Sequence, residues 1–219
     1  PGNKDFNEKT RVKKNNKINT KIYKTISKEK QLDELIKKLN EKSVIAVDTE
    51  TSSLNPQEAD LVGVSLCYKA NEAFYIPVGH KEITELKKDV VLKKLKPILE
   101  DPSIKKVGQN IKYDFIILKN HGVELSSVED TMLLSYTLDA GNNRHNMDTL
   151  SELHLGHKTI SYKETVGTGK KQLNFSDVDL KSATEYAAED ADITFRLYEV
   201  LSQRVSEEKL ERVYEEFEK

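Results

Sequence analysis

The amino-acid sequence predicts one α/β domain in which helices pack against a mixed β-sheet. Short apolar or alternating segments, typical of strands, occur in the first half of the chain, and segments with apolar residues at helical spacing precede and follow them. The chain has 219 residues, 37% of them hydrophobic, which is enough for one sizeable core.

The predicted strands follow a first helix. Leucines at helical spacing predict that helix over residues 27–42, and the apolar run VIAV at 44–47 predicts a buried strand after it. Residues 59–69 and 72–78 are typical of the two strands of a hairpin, and residues 104–109 predict a further short strand.

Helices make up most of the second half. Three helices are predicted where apolar residues at helical spacing are followed by a Pro or Gly stop signal. They cover residues 89–101, 110–122 and 129–141. A long helix is predicted over residues 179–205, and a last one up to the chain end.

The two ends of the chain suggest part of a longer protein. It begins with Pro1 instead of methionine, and its last residues read as the middle of a continuing chain. Residues 1–20 are basic, rich in asparagine and poor in core residues, so we predict a flexible basic linker or arm there, with the folded domain at 21–219.

Composition narrows the class of protein. No run of eighteen apolar residues is present, so we expect no membrane span. The only cysteine, Cys67, lies in an apolar segment, which favours a buried, reduced thiol in a cytosolic protein. A net charge of -2 does not indicate a nucleic-acid binder, although an enzyme that moves along its substrate needs local basic groups more than a basic surface.

The segment VIAVDTE poses a chemical problem. Its apolar strand runs directly into Asp48 and Glu50, and if the strand continues that far, both carboxylates point to one face. They repel each other unless a cation lies between them, and oxygen ligands of this kind suit Mg²⁺ or Mn²⁺. The motif alone is equally consistent with a strand that ends in an exposed polar turn.

Two further pairs have helical spacing. Asn110 and Asp114 are four apart at a predicted helix start, where a simple cap and a solvated acid would also explain them. Tyr186 and Asp190 are four apart on the long helix, and the alanines between them allow close packing, although a tyrosine that covers the core beside a surface acid would also explain the pair. Together the three signals supply four carboxylates and a phenol, which could hold two divalent ions and an attacking water for in-line phosphodiester cleavage.

These residues lie within longer motifs that resemble a known family. The sequence resembles the 3′–5′ proofreading exonuclease domain of the family A polymerases, bacterial DNA polymerase I, in the tyrosine branch of the DEDD exonuclease superfamily. The resemblance runs from about residue 20 to the chain end. It rests on VDTETSSLNP, LVGVSL, YIPVGH, KVGQNIKYD, DTMLLSYTLDAG, RHNMDTLSE, HKTISYKE, GTGKKQLNF and YAAEDADIT.

The resemblance implies a ribonuclease H-like fold and a role for each site residue. Asp48, Glu50 and Asp190 would bind the tighter metal ion. Asp48 would also contact the second ion, on which Asp114 would act largely through water, and Tyr186 would position the nucleophile.

It also implies contacts with the substrate. Leu54 and Phe175 match residues that wedge and stack on the terminal bases, a grip that tolerates any sequence. The remaining matches lie near the substrate backbone or terminus: Thr51, Gln109, Asn110, Tyr113 and Arg144.

From the resemblance we expect hydrolysis of the 3′-terminal phosphodiester, with release of nucleoside 5′-monophosphates. The cofactors would be two divalent cations, Mg²⁺ above all, with Mn²⁺ or Zn²⁺ as alternatives. The partners would be a single-stranded or frayed 3′ end of DNA and a covalently linked polymerase domain, in a monomer of the bacterial cytoplasm that does not bind membranes.

Two other functions remain open. A catalytically silent DNA-binding scaffold of a polymerase would not need the four acids, all of which are present. A stand-alone, ribonuclease D-like RNA exonuclease is the other, but that branch usually has Phe directly after Asp-Thr-Glu, where this chain has Thr51.

Overall fold

The structure, a computed structural model, describes residues 17–82 and 84–219. Most of the predicted basic arm, residues 1–16, lies outside the described residues, and the predicted division of the chain at residue 20 stays a prediction. Among the helices of the described part, none is both long and apolar enough to cross a membrane.

Strands within the described residues form one mixed sheet. They are β1 (Lys24–Thr25), β2 (Val44–Thr51), β3 (Leu61–Cys67), β4 (Ala73–Pro77), β5 (Lys105–Gly108) and β6 (Val128–Asp130). Their order in the sheet is β1-β4-β3-β2-β5-β6. β2 pairs antiparallel with β3 and parallel with β5, so the sheet is mixed, as predicted. β3 and β4 form the predicted hairpin.

Helices cover both faces of this sheet. They are α1 (Glu29–Leu39), α2 (Lys88–Leu99), α3 (Lys112–Asn120), α4 (Thr131–Asp139), α5 (Met147–Leu150), α6 (Tyr162–Val166), α7 (Leu180–Glu207) and α8 (Glu211–Val213). Short π-helical segments follow α5 and α8. The sequence did not predict β1, β6 or α6.

Two predicted helix starts were wrong. The helix predicted from residue 129 begins at Thr131, because the two preceding residues end strand β6. The helix predicted from Asn110 begins two residues later, and Asn110 has a φ of 60°, in the left-handed region. It therefore does not share a helix face with Asp114. The carboxylate of Asp130 holds this turn by accepting the N–H groups of Asn110 and Ile111, at 2.9 and 3.0 Å.

The core lies on both sides of the sheet. Helices α1, α2 and α3 cover one face, where Ile45 and Val47 of β2 join the main apolar cluster. Helix α7 covers the other face and packs on β2, β3 and β4, where Ala46 and the buried Cys67 lie. Alternation along β2 thus sends neighbouring side chains to different helices.

Helix α7 lies close to the sheet because the side chains on its contact face are small. Its first turn is capped by Asp179, whose carboxylate accepts the N–H of Ser182 at 3.0 Å. Four of its alanines are fully buried against the strands: Ala183, Ala187, Ala188 and Ala191. This close approach brings the middle of α7 over β2.

Strand β2 is longer than predicted. It continues to Thr51, so Asp48 and Glu50 lie within it and not in a turn after it. The pairing with β3 shifts between Glu50 and Thr51, which marks a bulge. The extra residue at this shift is Val62 of β3, so the irregularity lies opposite the end of β2, immediately after the two acids.

Candidate active site

Three carboxylates converge where β2 meets α7. One oxygen each of Asp48, Glu50 and Asp190 lies within 4.8 Å of the other two. Asp48 and Glu50 alternate along β2 and so point to the same face, the one on which α7 packs. Carboxylates this close repel one another unless a cation lies between them.

Asp114 approaches from the other face of the sheet. Its Oδ1 accepts the backbone N–H of Thr49 at 2.9 Å and the Thr49 hydroxyl at 2.5 Å. It is only 3% exposed and stands apart from the three converging acids. Its charge still raises the pKa of Glu50, so the four acids form one electrostatic group.

Burial is the main cause of raised pKa values in this group. It raises the pKa of Glu50, Asp114 and Asp190, and together with the charge of Asp190 it raises the pKa of Asp48 to about 8. Within the described residues, no lysine or arginine lowers the pKa of any of the four. A divalent cation would supply the missing positive charge, and an all-oxygen ligand set of this kind fits Mg²⁺ or Mn²⁺.

Tyr186 lies one helical turn before Asp190 on α7. Burial raises the pKa of its hydroxyl, and the negative charges of Asp190, Glu50 and Asp48 raise it further. The side chains of Tyr186 and Asp190 interact, which favours the ionised form of Asp190. Tyr186 therefore stays protonated at neutral pH and can act as a hydrogen-bond donor, but not as a base.

Asp48, Glu50 and Asp190 open onto a cleft of about 1050 Å³. Its lining includes the end of β2 and residues 52–54, together with α6 and the loop at 167–174. Tyr113 of α3 and Tyr186 and Asp190 of α7 complete the lining. The cleft can therefore bring a ligand directly to the carboxylates.

Three of the predicted substrate residues line this cleft. The hydroxyls of Thr51 and Tyr113 lie 2.6 Å apart, and both lie within hydrogen-bond distance of the carbonyl oxygen of Ser53, at 3.0 and 2.5 Å; their two protons are shared among these three contacts. Leu54 follows this hydrogen-bonded group and is 94% exposed. An apolar side chain held this far into solvent at a cleft wall is available for a ligand.

Three other predicted substrate residues lie outside the described lining of the cleft: Gln109, Asn110 and Arg144. The amide of Gln109 accepts from Thr131 at 2.5 Å and donates to the carbonyl oxygen of His145 at 2.7 Å. Gln109 thus holds in place the segment that carries Arg144, which is itself exposed.

Phe175 is not exposed to the cleft. It is 1% exposed and lies among the rings of Tyr75, His80, Tyr162 and Tyr186, with ring centroids 5.8 to 6.4 Å away. The predicted stacking of Phe175 on a base is therefore not possible in the conformation described, because other aromatic rings already occupy its surroundings.

Glu189 is a buried residue of α7 that the sequence analysis did not assign to the site. It is not a member of the metal-binding group, but it lies beside Asp190 and its charge raises the pKa of Asp190. Its Oε1 lies 2.8 Å from Nε2 of His157, and its Oε2 accepts the N–H of Ile160 at 2.6 Å. These bonds fasten the segment before α6 to α7. No periodicity in the sequence indicates them.

Helix α6 was also missed, although the sequence contains a signal for it. Ser161 and Glu164 form a capping box, in which Glu164 accepts from the Ser161 N–H at 2.8 Å and Ser161 accepts from the Glu164 N–H at 3.3 Å. A Ser-x-x-Glu pattern is a recognised helix-start signature. It places Tyr162, which is 40% exposed, on the wall of the cleft.

Comparisons with known proteins agree with this geometry. A protein family described as 3′–5′ exonuclease matches residues 23–206. The chain is similar to DNA polymerase I of Rhizobium leguminosarum, 42% identical over 90% of this chain, and to that of Pseudomonas aeruginosa, 43% identical over 84% of it. It spans 21% of the length of each of these relatives.

Solved structures agree on the fold. The structure of Brucella melitensis NrnC with bound Mg²⁺ is 23% identical, with a TM-score of 0.63 over 88% of this chain and 85% of NrnC. Likenesses of this kind confirm the predicted ribonuclease H-like fold. From the family match, the chain belongs to the 3′–5′ exonuclease domains found in bacterial DNA polymerase I.

Proposed function

We propose that this domain is a two-metal-ion 3′–5′ exodeoxyribonuclease that releases nucleoside 5′-monophosphates from unpaired 3′ ends of DNA. The observation that carries the proposal is the convergence of Asp48, Glu50 and Asp190 at a cleft, with no lysine or arginine among the described residues lowering their pKa values. Relatives named DNA polymerase I support DNA as the substrate.

The donor set suggests how cations would be held. Asp48, Glu50 and Asp190 would hold one divalent cation, and Asp48 with Asp114 the other, the latter largely through water. Bound cations would supply activation of the attacking water and neutralisation of charge on the phosphate. Mg²⁺ is the proposed ion, supported by its presence in the similarly folded NrnC; Mn²⁺ or Zn²⁺ could replace it.

The side chains of the chain itself would orient the reactants. The protonated hydroxyl of Tyr186, beside Asp190, would donate a hydrogen bond that aligns the attacking water. Thr51 and Tyr113, already fixed to each other and to Ser53, would hold the terminal nucleotide. Leu54 would wedge against a base from the exposed wall.

In the whole protein we propose a proofreading role. A mismatched end frays more readily than a paired one, so a site that takes only single strands selects errors through the lower energy needed to unpair them. The domain would be covalently linked to a polymerase domain, act as a monomer and work in the bacterial cytoplasm.

The test is digestion of a 5′-labelled single-stranded DNA by the purified chain, with Mg²⁺, with Mn²⁺ and with chelator. We expect a ladder that shortens from the 3′ end and requires the cation. Asp190→Asn should reduce the rate by roughly 10³-fold or more, equivalent to about 4 kcal/mol of transition-state stabilisation. The matched control is Asp89→Asn, an exposed aspartate in the first turn of α2, which should leave the rate unchanged.

Other results would favour the alternatives. No ladder from a folded protein at high concentration, with DNA binding retained, would support a silent scaffold. Faster degradation of an RNA of the same sequence would support an RNA-trimming enzyme.

A further inference from the structure

A glycine lies directly opposite one of the site acids in the sheet. Gly63 of β3 pairs with Glu50 of β2. A Cβ atom added to Gly63 would overlap the ring and the hydroxyl of Tyr75, a fully buried residue of the neighbouring strand β4. The Tyr75 ring therefore occupies the space that a side chain at Gly63 would take, next to the strand that carries the acids.

The register of the sheet places Tyr75 on the same face as the acids. Ser65 of β3 pairs with Asp48 on one side and with Tyr75 on the other. Directly paired residues point to the same face of a sheet, here the face that α7 covers. Burial raises the pKa of the Tyr75 hydroxyl, and the charges of Glu50 and Asp48 raise it further, so the hydroxyl lies within the field of the acids.

His80 holds the Tyr75 hydroxyl. Its Nε2 lies 2.8 Å from that hydroxyl, and its Nδ1 lies 3.2 Å from the carbonyl oxygen of Val178. Because a carbonyl oxygen can only accept, Nδ1 of the neutral ring carries the proton, and Nε2 accepts from Tyr75. Burial lowers the pKa of His80, which favours this neutral form. The imidazole thus joins β4 to the chain just before α7.

The segment after β4 is fastened to the start of α7. Val178, the acceptor of His80, immediately precedes Asp179, the N-cap of α7. The residue after His80, Lys81, donates its backbone N–H to the carbonyl oxygen of Ser176 at 2.9 Å. These bonds link the hairpin to the helix that supplies the third converging carboxylate.

Ring packing connects the same groups by a second route. Tyr75 and His80 each meet Phe175 edge to face, with centroids 6.4 and 5.8 Å apart. The ring of Phe175 lies 5.9 Å from that of Tyr186. Tyr75 also shares one buried apolar cluster with Ala187 of α7. The Tyr75 ring is therefore a spacer between the sheet and the part of α7 that carries the site residues.

From this arrangement we propose that His80 is a positioning residue for the cation site. Through Tyr75 and the start of α7, it sets the separation between the acids of β2, Asp48 and Glu50, and Asp190 of α7. His80 itself lies outside the described lining of the cleft. The proposal rests on the proposed exonuclease function, whose cations these acids would hold. It gives a role to the motifs LVGVSL and YIPVGH, which that function leaves unexplained.

Mn²⁺ binding to the purified chain, without DNA, tests the proposal. Electron paramagnetic resonance of free Mn²⁺ gives both the number of sites per chain and their affinity. His80→Ala should weaken the affinity about 10-fold, the lower end of the range for residues that orient metal ligands. The number of sites should not change, because the ligands are intact. A purely structural loss would instead lower the number of sites and leave the affinity of the folded molecules unchanged.

A second variant tests the hydrogen bond with the ring retained. Tyr75→Phe removes only the hydroxyl, so its Mn²⁺ affinity should lie between those of the unaltered chain and His80→Ala. The double variant should bind no more weakly than His80→Ala, because both substitutions remove the same hydrogen bond. The matched control is Tyr68→Phe, which removes a hydroxyl that donates to Glu72 at 2.7 Å in the same hairpin. It should bind Mn²⁺ as the unaltered chain does.

Rescue and kinetics give two further readouts. Imidazole added to His80→Ala can take the place of the missing ring and should restore most of the Mn²⁺ affinity, relative to the unaltered chain in the same imidazole. With DNA present, His80→Ala should need more Mn²⁺ for half of its maximal rate. Its KM for DNA at saturating Mn²⁺ should stay that of the unaltered chain.

The possible failures can be told apart. Equal Mn²⁺ affinity of His80→Ala and the unaltered chain would overturn the positioning role and leave the nuclease function standing. Additive losses in the double variant would also overturn it, because the two residues would not act through their bond. An unaltered chain that bound Mn²⁺ but did not degrade DNA, with weaker binding in His80→Ala, would support the positioning role and reject the nuclease function. Absence of Mn²⁺ binding in the unaltered chain would overturn both.

Discussion

Two aspartates lie two residues apart on α7 in opposite surroundings. Asp192 is fully buried, and its carboxylate is surrounded by donors: the Tyr23 hydroxyl at 2.6 Å, the Asn71 N–H at 2.9 Å and Nε of Arg196 at 3.0 Å. Asp190 instead converges with two other carboxylates. One aspartate has donors on several sides, and the other mainly has like charges.

The difference separates a structural acid from a functional one. A buried carboxylate needs partners, and those of Asp192 come from within the chain: they connect the segment before β1, the turn of the β3–β4 hairpin and α7. The partner of Asp190 has to come from outside. The contrast between these neighbours indicates a cation site more clearly than either acid does alone.

The largest expected effect is on the pH dependence of stability without cations. In the folded chain Asp48 has a pKa of about 8, against 3.8 ordinarily, so the folded state holds a proton that the unfolded state has lost. Stability should then fall as the pH rises from about 4 to about 8, by roughly 1.4 kcal/mol per pH unit for each such proton. Thermal unfolding in chelator between pH 5 and 8 measures this.

Comparing samples with and without Mn²⁺ separates the contribution of the acidic group to stability from that of other titrating residues. Burial lowers the pKa values of His80 and His154, which adds stability as the pH rises through about 6.5. The informative quantity is therefore the difference between samples with and without Mn²⁺, and it should grow with pH. In Asp190→Asn the fall should be shallower, because one like charge is gone. If the difference in stability with and without Mn²⁺ did not depend on pH, the acids would not have the raised pKa values described above.

The next largest expected effect is the loss of stability on replacing the structural aspartate, Asp192. Asp192→Asn should lower the free energy of unfolding by about 3 kcal/mol, because Arg196 and the Tyr23 hydroxyl lose a charged acceptor in the interior. Urea denaturation measures the loss. At a temperature where the variant is still folded, its exonuclease rate per folded molecule should be close to that of the unaltered chain. A rate loss as large as that of Asp190→Asn would show that the two aspartates are not separate in function.

Local patterns predicted the functional aspartate better than the structural one. Alternation along β2 and the four-residue spacing of Tyr186 and Asp190 each place side chains by local geometry, so the acids could be grouped from the sequence. Arg196 is a local donor of Asp192, four residues later on α7, but the other two lie far along the chain, with Tyr23 169 residues away and Asn71 121 residues away. Only the folded sheet brings them together, and no local pattern records them.

The same dependence on residues far along the chain explains the wrong predictions near the cleft. The left-handed turn at Asn110 depends on Asp130, twenty residues later, which the helix-start pattern does not contain. The burial of Phe175 depends on α6 folding over it, and on the Glu189 contacts that fasten the segment before α6. Residues whose exposure is set by such packing are predicted less well than those placed by strand or helix periodicity.

The smallest expected effects come from the two tyrosines beside these aspartates. Tyr186→Phe should lower kcat about 10- to 100-fold, the effect of losing one hydrogen bond near a charged group, with little change in stability. Tyr23→Phe removes the hydroxyl that donates to Asp192 and should lower the free energy of unfolding by about 2 kcal/mol, with little change in kcat.

Measuring kcat and the free energy of unfolding for both Tyr186→Phe and Tyr23→Phe makes the comparison decisive. Each tyrosine presents a hydroxyl to one aspartate of the same helix, so the substitutions are chemically matched, and only the surroundings differ. If Tyr186→Phe mainly lost stability, its hydroxyl would be a structural donor to Asp190, as that of Tyr23 is to Asp192. Another group at the cleft would then have to orient the water. Tyr113, which is hydrogen-bonded to Thr51 and lines the cleft, also has a phenol hydroxyl and would be the first candidate.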